Sequence, residues 1–246
     1  LNLGPSELED AIMSNHPELT GSRRFLLPPV ANHVEALAEA VRRGAPVSHP
    51  EQADALARWI SENLRKGAPL PVIVVCTGNS RRSILGSTMG NLAAAFCELP
   101  EVRFRSGGTE PTAFNPRTIT ALREIGVQIE PTGDEAPPGP DGPPNPAYRV
   151  RWGLPGDPAG EAIEFSKRYD HGINPQSGFA ALMVCDEADA ACPSVPGASI
   201  RLPIPFADPK SADGSPDEAA RYAERRDDLG RWMLRALLGA QERLNR

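Results

Sequence analysis

The sequence has no excess of positive charge. Lys and Arg number 26 against 32 Asp and Glu, a net charge of −6, which argues against a broad surface for nucleic acid. There is no run of 18 apolar residues, so no membrane span is expected. The first 30 residues lack a basic start followed by an apolar stretch, so no secretory signal is expected either. Cysteine, with four residues, is too rare for a secreted disulfide framework, and a reducing cytoplasm is the expected compartment. The histidines, at 16, 33, 49 and 171, have no ligand spacing, so no metal site is expected. Aromatics are scarce and there is no internal repeat. What the chain does have is 27 Pro and 22 Gly, which predict long irregular segments, and a hydrophobic fraction of 40% that can still fill a core.

Residues 1–68 read as mostly helical. In VEALAEAVRRGA, Val34, Leu37, Ala38 and Val41 form one helical face that stops at Gly44. HPEQADALARWISENLRKGA puts Ala55, Leu56, Trp59, Ile60 and Leu64 on one stripe, with Pro50 near its start and Gly67 past its end. No polar cluster here suggests chemistry. Residues 1–68 are expected to be a helical extension added to a catalytic unit of residues 69–246.

The character changes at residue 70. LPVIVV is a short, β-branched apolar run that fits a central parallel strand. RSILGSTMGNLAAAFCEL follows with Ile84, Leu85, Met89, Leu92 and Phe96 at helical spacing, and EVRFRSG alternates like a strand. NPRTITALREIG predicts a helix capped by Asn115, opened by Pro116 and ended by Gly126. FAALMVC, residues 179–185, is a second buried strand, SIRLPIP a weaker one, and a helix from about Pro216 to Leu244 closes the chain. This alternation predicts an α/β fold, a four-stranded parallel sheet with helices on both faces. An insert over 131–165 breaks the rhythm: 15 of the 30 residues from 131 to 160 are Pro or Gly. Within it, AYRVRWG and EAIEFSKRY predict a β-hairpin over roughly 147–167.

The stretch VVCTGNSRRS, residues 74–83, starts as a buried strand and ends too polar to be one. Parallel sheets bind ligands at the carboxyl ends of their strands, where Cys76 falls. The next residues must turn into a helix, whose N-terminus offers unpaired N–H groups and the positive end of a dipole. A Gly-containing loop before it can aim several N–H groups at one centre. That field favours a thiolate over a thiol. Arg82 adds a planar, permanently charged fork suited to a tetrahedral oxyanion. Ser83 can donate to the sulfur when it leaves. A buried cysteine at a strand end is unremarkable by itself; the strand before it, the Gly-Asn within and the Arg-Ser after it point together to a nucleophile inside an anion cradle.

CTGNSRRS resembles the phosphate-binding loop of the low-molecular-weight protein tyrosine phosphatase superfamily, which includes the thioredoxin-coupled arsenate reductases: Cys, five residues, Arg, then Ser or Thr. The resemblance covers about residues 70–130 and 166–244 and takes in FRSGGTEPTAFNPRTITALREIG. Arg81 stands where many members carry a second loop cysteine, and Ile84 where the phosphatases usually have Pro. The resemblance implies a low-molecular-weight phosphatase-like sheet, Cys76 as nucleophile and no bound cofactor. Oxyanion binding falls to Thr77, Gly78, Asn79, Ser80, Arg81, Arg82 and Ser83. In PFADPKSADG, Asp208-Pro209 matches the Asp-Pro of the general acid. Asp157-Pro158 is another such pair, but Asp208 lies just before the terminal helix. Asp186 and Asp213 are expected to be solvated loop or cap residues.

VCDEADAACPSVPGA is the remaining motif. Cys185 ends its strand and is expected to open on the same sheet edge as Cys76, and DEADAAC reads as a short helix stopped by Pro193. By themselves, Cys185 and Cys192 are either two buried small residues or a redox pair. Helical positions seven apart lie roughly 10 Å apart along the axis, whereas a disulfide needs Cα atoms within about 7 Å. A 185–192 bridge would therefore require the segment to unwind. The resemblance to the arsenate reductases implies a relay in which Cys76 attacks arsenate, Cys185 attacks the adduct, and Cys192 then forms a 185–192 disulfide that a thioredoxin-type partner reduces. The alternative is a phosphatase acting on phosphotyrosine or a small phosphoester, which needs only Cys76. Lys210-Ser211 follow the acid where those phosphatases have tyrosines, so Tyr148 or Trp152 of the insert would have to hold an aromatic ring. A non-catalytic oxyanion-binding protein is the third reading. Cys97 is expected in the core.

Overall fold

The computed structural model describes residues 25–137, 144–191 and 194–246. In chain order its elements are α1 (Pro28–Arg42), α2 (Pro50–Asn63), β1 (Leu70–Cys76), α3 (Arg82–Phe96), β2 (Val102–Gly108), α4 (Pro116–Arg123), β3 (Gln128–Glu135), β4 (Pro146–Arg151), β5 (Glu161–Glu164), β6 (Phe179–Met183), α5 (Asp186–Ala191), β7 (Ala198–Pro203) and α6 (Glu218–Leu244). One-turn 3-10 segments precede β5 (Pro158–Gly160) and α6 (Pro209–Ala212).

The main sheet is parallel throughout, in the order β2–β1–β6–β7. Its β-branched strand takes a central place because it can be covered on both faces: Val72 to Val75 are fully buried. The register sets Cys76 opposite Gly108 and Val75 opposite Met183. The strand ends therefore align along one edge, and the segment after β1 faces Val184 and Cys185.

Helix α3 packs on β1 and β2 and is enclosed on its other side by α1 and α6, so it is buried almost all round rather than along one stripe. Glycines allow the close approaches. A Cβ on Gly90 would lie 2.4 Å from the Phe104 ring, and one on Gly230 would lie 2.7 Å from Met89. Helix α4 is opened as expected: the Asn115 side chain accepts the Arg117 N–H at 2.9 Å and Pro116 follows it.

The two N-terminal helices pack on α6. Helix α1 begins at Pro28, six residues before the expected Val34, because Val30 and Ala31 extend its buried face. Trp232 Nε1 donates to the His49 carbonyl at 3.2 Å, and His33 pairs with Asp227 at 2.9 Å.

The insert holds more order than its composition predicts. β4 and β5 are the expected antiparallel hairpin, and β3 adds a third strand at the edge, order β3–β4–β5. Pro131 and a register shift before Glu135 are tolerated there because an edge strand can leave an N–H side unpaired. Ile129, Val150 and Trp152 are buried and join the main core. Among the described residues, no helix is long and apolar enough to cross a membrane.

Candidate active site

Cys76 is buried at the end of β1. Residues 77–81 then loop before α3 begins at Arg82. The loop turns its carbonyls outward, where they are held. Cys76 O accepts the Thr109 N–H at 3.1 Å, Thr77 O that of Glu110 at 2.9 Å, Gly78 O that of Thr112 at 3.0 Å, and Ser80 O that of Asn115 at 3.2 Å. With these carbonyls committed, the main-chain N–H groups of Gly78 to Arg82 have no acceptor among the described residues. Five donors at the start of a helix form a cradle for an anion. Gly108 makes room for it: a Cβ there would sit 2.5 Å from Thr77 O.

Asn79 keys the loop into the protein. It is fully buried with φ of 41°, a left-handed conformation that Asn tolerates. Its Nδ2 donates to Ser83 Oγ at 2.9 Å and to Ser106 Oγ at 2.8 Å, and its Oδ1 accepts the Lys167 N–H at 2.8 Å. Ser83 Oγ in turn accepts the Cys76 S–H at 3.1 Å. When the sulfur is a thiolate, the Ser83 hydroxyl can reverse and donate to it.

Behind Ser106 lies a buried ion pair. Ser106 Oγ donates to Glu164 Oε1 at 2.8 Å, and Lys167 Nζ bonds both Glu164 and Ser106. Ser166 Oγ donates to Gly78 O at 3.0 Å and accepts the Thr112 N–H. Asn145 holds Ser166 through two bonds, to its carbonyl and from its N–H. Nothing local in the sequence links Asn145, Glu164, Ser166 or Lys167 to the loop. The only hint was the hairpin strand expected over EAIEFSKRY.

Arg82 is buried, and its guanidinium reaches the segment after β7. It donates to Asp208 Oδ2 at 2.7 Å and to the Phe206 carbonyl at 3.1 Å. Its Nε has no acceptor among the described residues. Glu187 stands 3.9 Å away. Asp208 caps the Pro209–Ala212 turn, accepting the Lys210 N–H at 3.0 Å through its other oxygen.

Arg81 turns its side chain to α6 instead. Its Nε donates to the Tyr222 hydroxyl at 2.7 Å, and it pairs with Asp213 at 3.2 Å. Tyr222 donates to Asp213 Oδ1 at 2.8 Å. The expectation that Asp213 is merely solvated is therefore corrected: it is part-buried and joins the loop to α6, because Arg81 and Tyr222 converge on it. Asp186 opens α5 and is exposed.

Cys185 is fully buried just past β6, its sulfur 3.5 Å from Thr77 Oγ1. Burial pushes this thiol up. The Thr77 bond and the Arg82 charge pull against that, and the Cys76 charge adds to it. Cys76, Arg82, Asp208 and Cys185 thus gather at one edge of the sheet. Cys192 and Pro193 lie outside the described residues. Cys97 lies away from this edge at the end of α3, where burial pushes its thiol up to about 12. Of the insert residues Tyr148 and Trp152, Trp152 is packed in the core, and Tyr148 lies edge-on to Phe114 at 5.4 Å. Among the described residues, no group of His, Cys, Asp or Glu is suited to a metal ion.

No family model matches the chain and no curated protein matches it. Solved structures are similar to it. The tyrosine phosphatase AmsI of Erwinia amylovora matches over 71% of this chain and 96% of its own, at 16% identity and a TM-score of 0.39. A thioredoxin-dependent arsenate reductase of Corynebacterium glutamicum matches over 91% of this chain and 92% of its own, at 14% identity and a TM-score of 0.37.

Proposed function

We propose that the chain is a thiol enzyme acting on a small tetrahedral oxyanion, and that its reaction is arsenate reduction. The observation that supports this most is the second thiol. Cys185 is fully buried at the same sheet edge as Cys76, its sulfur 3.5 Å from the hydroxyl of Thr77, the residue that follows Cys76. A phosphatase needs only Cys76.

In this reading the five loop N–H groups and Arg82 bind the oxyanion, and the anion displaces Asp208 from the guanidinium. The Cys76 thiolate attacks As(V), and Asp208 gives a proton to the departing oxygen, which leaves as water. Cys185 then attacks the Cys76 sulfur. The S–S bond forms as the S–As bond breaks, its electron pair stays on arsenic, and arsenite leaves. Cys192 next attacks Cys185, freeing Cys76, and a thioredoxin-type dithiol reduces the 185–192 disulfide. That last bridge requires α5 to unwind. The helix is only six residues long and is tied to β7 by Arg201 on Asp189.

Hydrolysis of a small phosphoester is the second reading. Cys76, Arg82 and Asp208 suffice for it, and Asp208 already stands 2.7 Å from Arg82. The burial of Trp152 counts against an aryl-ring clamp supplied from that residue.

Replacing Cys185 and Cys192 singly by Ser separates the two. If the chain is a reductase, thioredoxin-linked arsenate reduction collapses in both variants while p-nitrophenyl phosphate hydrolysis survives. A wild type that turns over phosphoesters but never reduces arsenate gives the second reading the case. Activity of either kind in Cys76→Ser means the nucleophile is elsewhere.

A further inference from the structure

Two consecutive arginines, the last of the loop and the first of α3, grip one short segment at its two ends. Arg82 holds the start, through the Phe206 carbonyl and the Asp208 carboxylate. Arg81 holds the finish, through Asp213 at 3.2 Å and through the Tyr222 hydroxyl that also binds Asp213. Between them lies the single 3-10 turn Pro209–Ala212. Asp208 caps its start, and Asp213 closes its end by donating its N–H to Lys210 O at 3.0 Å. The turn thus connects the two carboxylates directly. Arg117, at 3.7 Å, is a second cation on Asp213.

The two grips differ in what substrate does to them. An oxyanion in the cradle takes the Arg82 guanidinium and so removes the hold on Asp208. The Arg81 hold makes no use of Arg82 and survives that exchange. We propose that Arg81, Asp213 and Tyr222 form a positioning latch that keeps Asp208 beside the leaving oxygen after substrate has taken Arg82. The inference rests on reading Asp208 as the proton donor. In the step it serves, Asp208 released from Arg82 carries the proton brought by the substrate monoanion. The S–P bond to Cys76 forms as the bond to the leaving oxygen breaks, and the proton passes from Asp208 to that oxygen. Water then attacks the phosphocysteine and returns a proton to Asp208 as phosphate leaves. The latch residues touch neither substrate nor sulfur in this scheme and act only through Asp208.

The test uses the full chain and aryl phosphates whose leaving phenols run from 2,4-dinitrophenol to phenol. A good leaving group needs little help from an acid, and a poor one needs much. In Asp213→Asn, kcat/KM, which reports only the transfer to Cys76, is expected to fall about 3-fold on the dinitrophenyl ester and about 100-fold on phenyl phosphate, within the range of general-acid effects. Inorganic phosphate, measured by its protection of Cys76 from iodoacetamide, should bind within about 3-fold of wild type, because the cradle is intact. Tyr222→Phe, which changes no charge, should repeat the pattern more weakly, and it carries the test if Asp213→Asn does not fold. An equal loss on every ester, or a matching loss of phosphate affinity, overturns the latch. Asp208→Asn separates the two levels of the argument. If it has no leaving-group dependence, the acid is misassigned and the latch falls with it. A wild type that binds phosphate but hydrolyses no aryl ester overturns the latch and leaves the oxyanion cradle standing.

Discussion

The side-chain oxygen of Asn79 accepts the main-chain N–H of Lys167 at 2.8 Å, across 88 positions of sequence. Only the oxygen of an amide can accept from an N–H, so this bond decides which way the amide faces. Its NH2 must then serve Ser83 and Ser106. The loop around Cys76 is thus set by a residue from outside it.

Asn79→Ala removes those bonds at once. It strands the Lys167 N–H and leaves a non-glycine residue at positive φ. A stability loss of about 2–4 kcal/mol is expected in urea titration. Turnover should fall at least about 100-fold, since a cradle misplaced by an ångström loses its alignment. Asn79→Gly relieves the backbone but restores no bond, so it should recover stability in part and turnover hardly at all.

The pair Glu164 and Lys167 is almost wholly buried. Glu164→Gln or Lys167→Met leaves one charge inside without its partner, and each should cost about 3–5 kcal/mol. The double variant leaves no charge uncompensated and should be less damaged than the sum of the two. Urea denaturation of the three proteins measures this, and additive losses would mean the two side chains do not act as a pair.

Much of this was readable from the sequence. LPVIVV had to be a covered strand, and the turn after Cys76 had to open a helix, because local composition decides both. Asn115 and Pro116 named the start of α4 for the same reason. β3 was missed because QIEPTGDE carries Pro131 and Gly133, which read as loop unless one knows it lies on a sheet edge. Asp213 was read as solvated because no spacing reveals that Arg81 leaves the loop for Tyr222. Long-range partners such as Asn79 with Lys167 leave no periodic trace, so the groups that brace the site were the least legible part of it.

Gly90→Ala tests the packing of α3. Its Cβ would meet the Phe104 ring at 2.4 Å. Alanine favours a helix by up to about 1 kcal/mol, but overpacking of this kind costs about 1–3 kcal/mol. A lower melting temperature is expected, with recovery when Phe104→Leu is added. An unchanged or higher melting temperature in the single variant would mean that β2 yields easily.

Stability should decline in alkali. Burial pushes the Cys97 thiol up to about 12 from 9.0, and burial likewise pushes the Tyr222 phenol up to about 12 from 10.0. Both hold their protons more tightly in the folded chain, so the unfolded chain releases them first. The stabilisation is complete below pH 9 and drains away as pH rises toward 12. Between pH 8 and 10.5 the wild type should lose about 2 kcal/mol more than Cys97→Ala. Parallel pH curves for the two proteins in urea titration would remove Cys97 from the account.

Asn145 and Glu164 belong to the proline-rich appendage, yet they carry Ser166 and the ammonium that stand behind the cradle. An engineer who excised residues 131–165 to obtain a smaller protein would keep Cys76 and Arg82 and still discard the side chains that brace their loop.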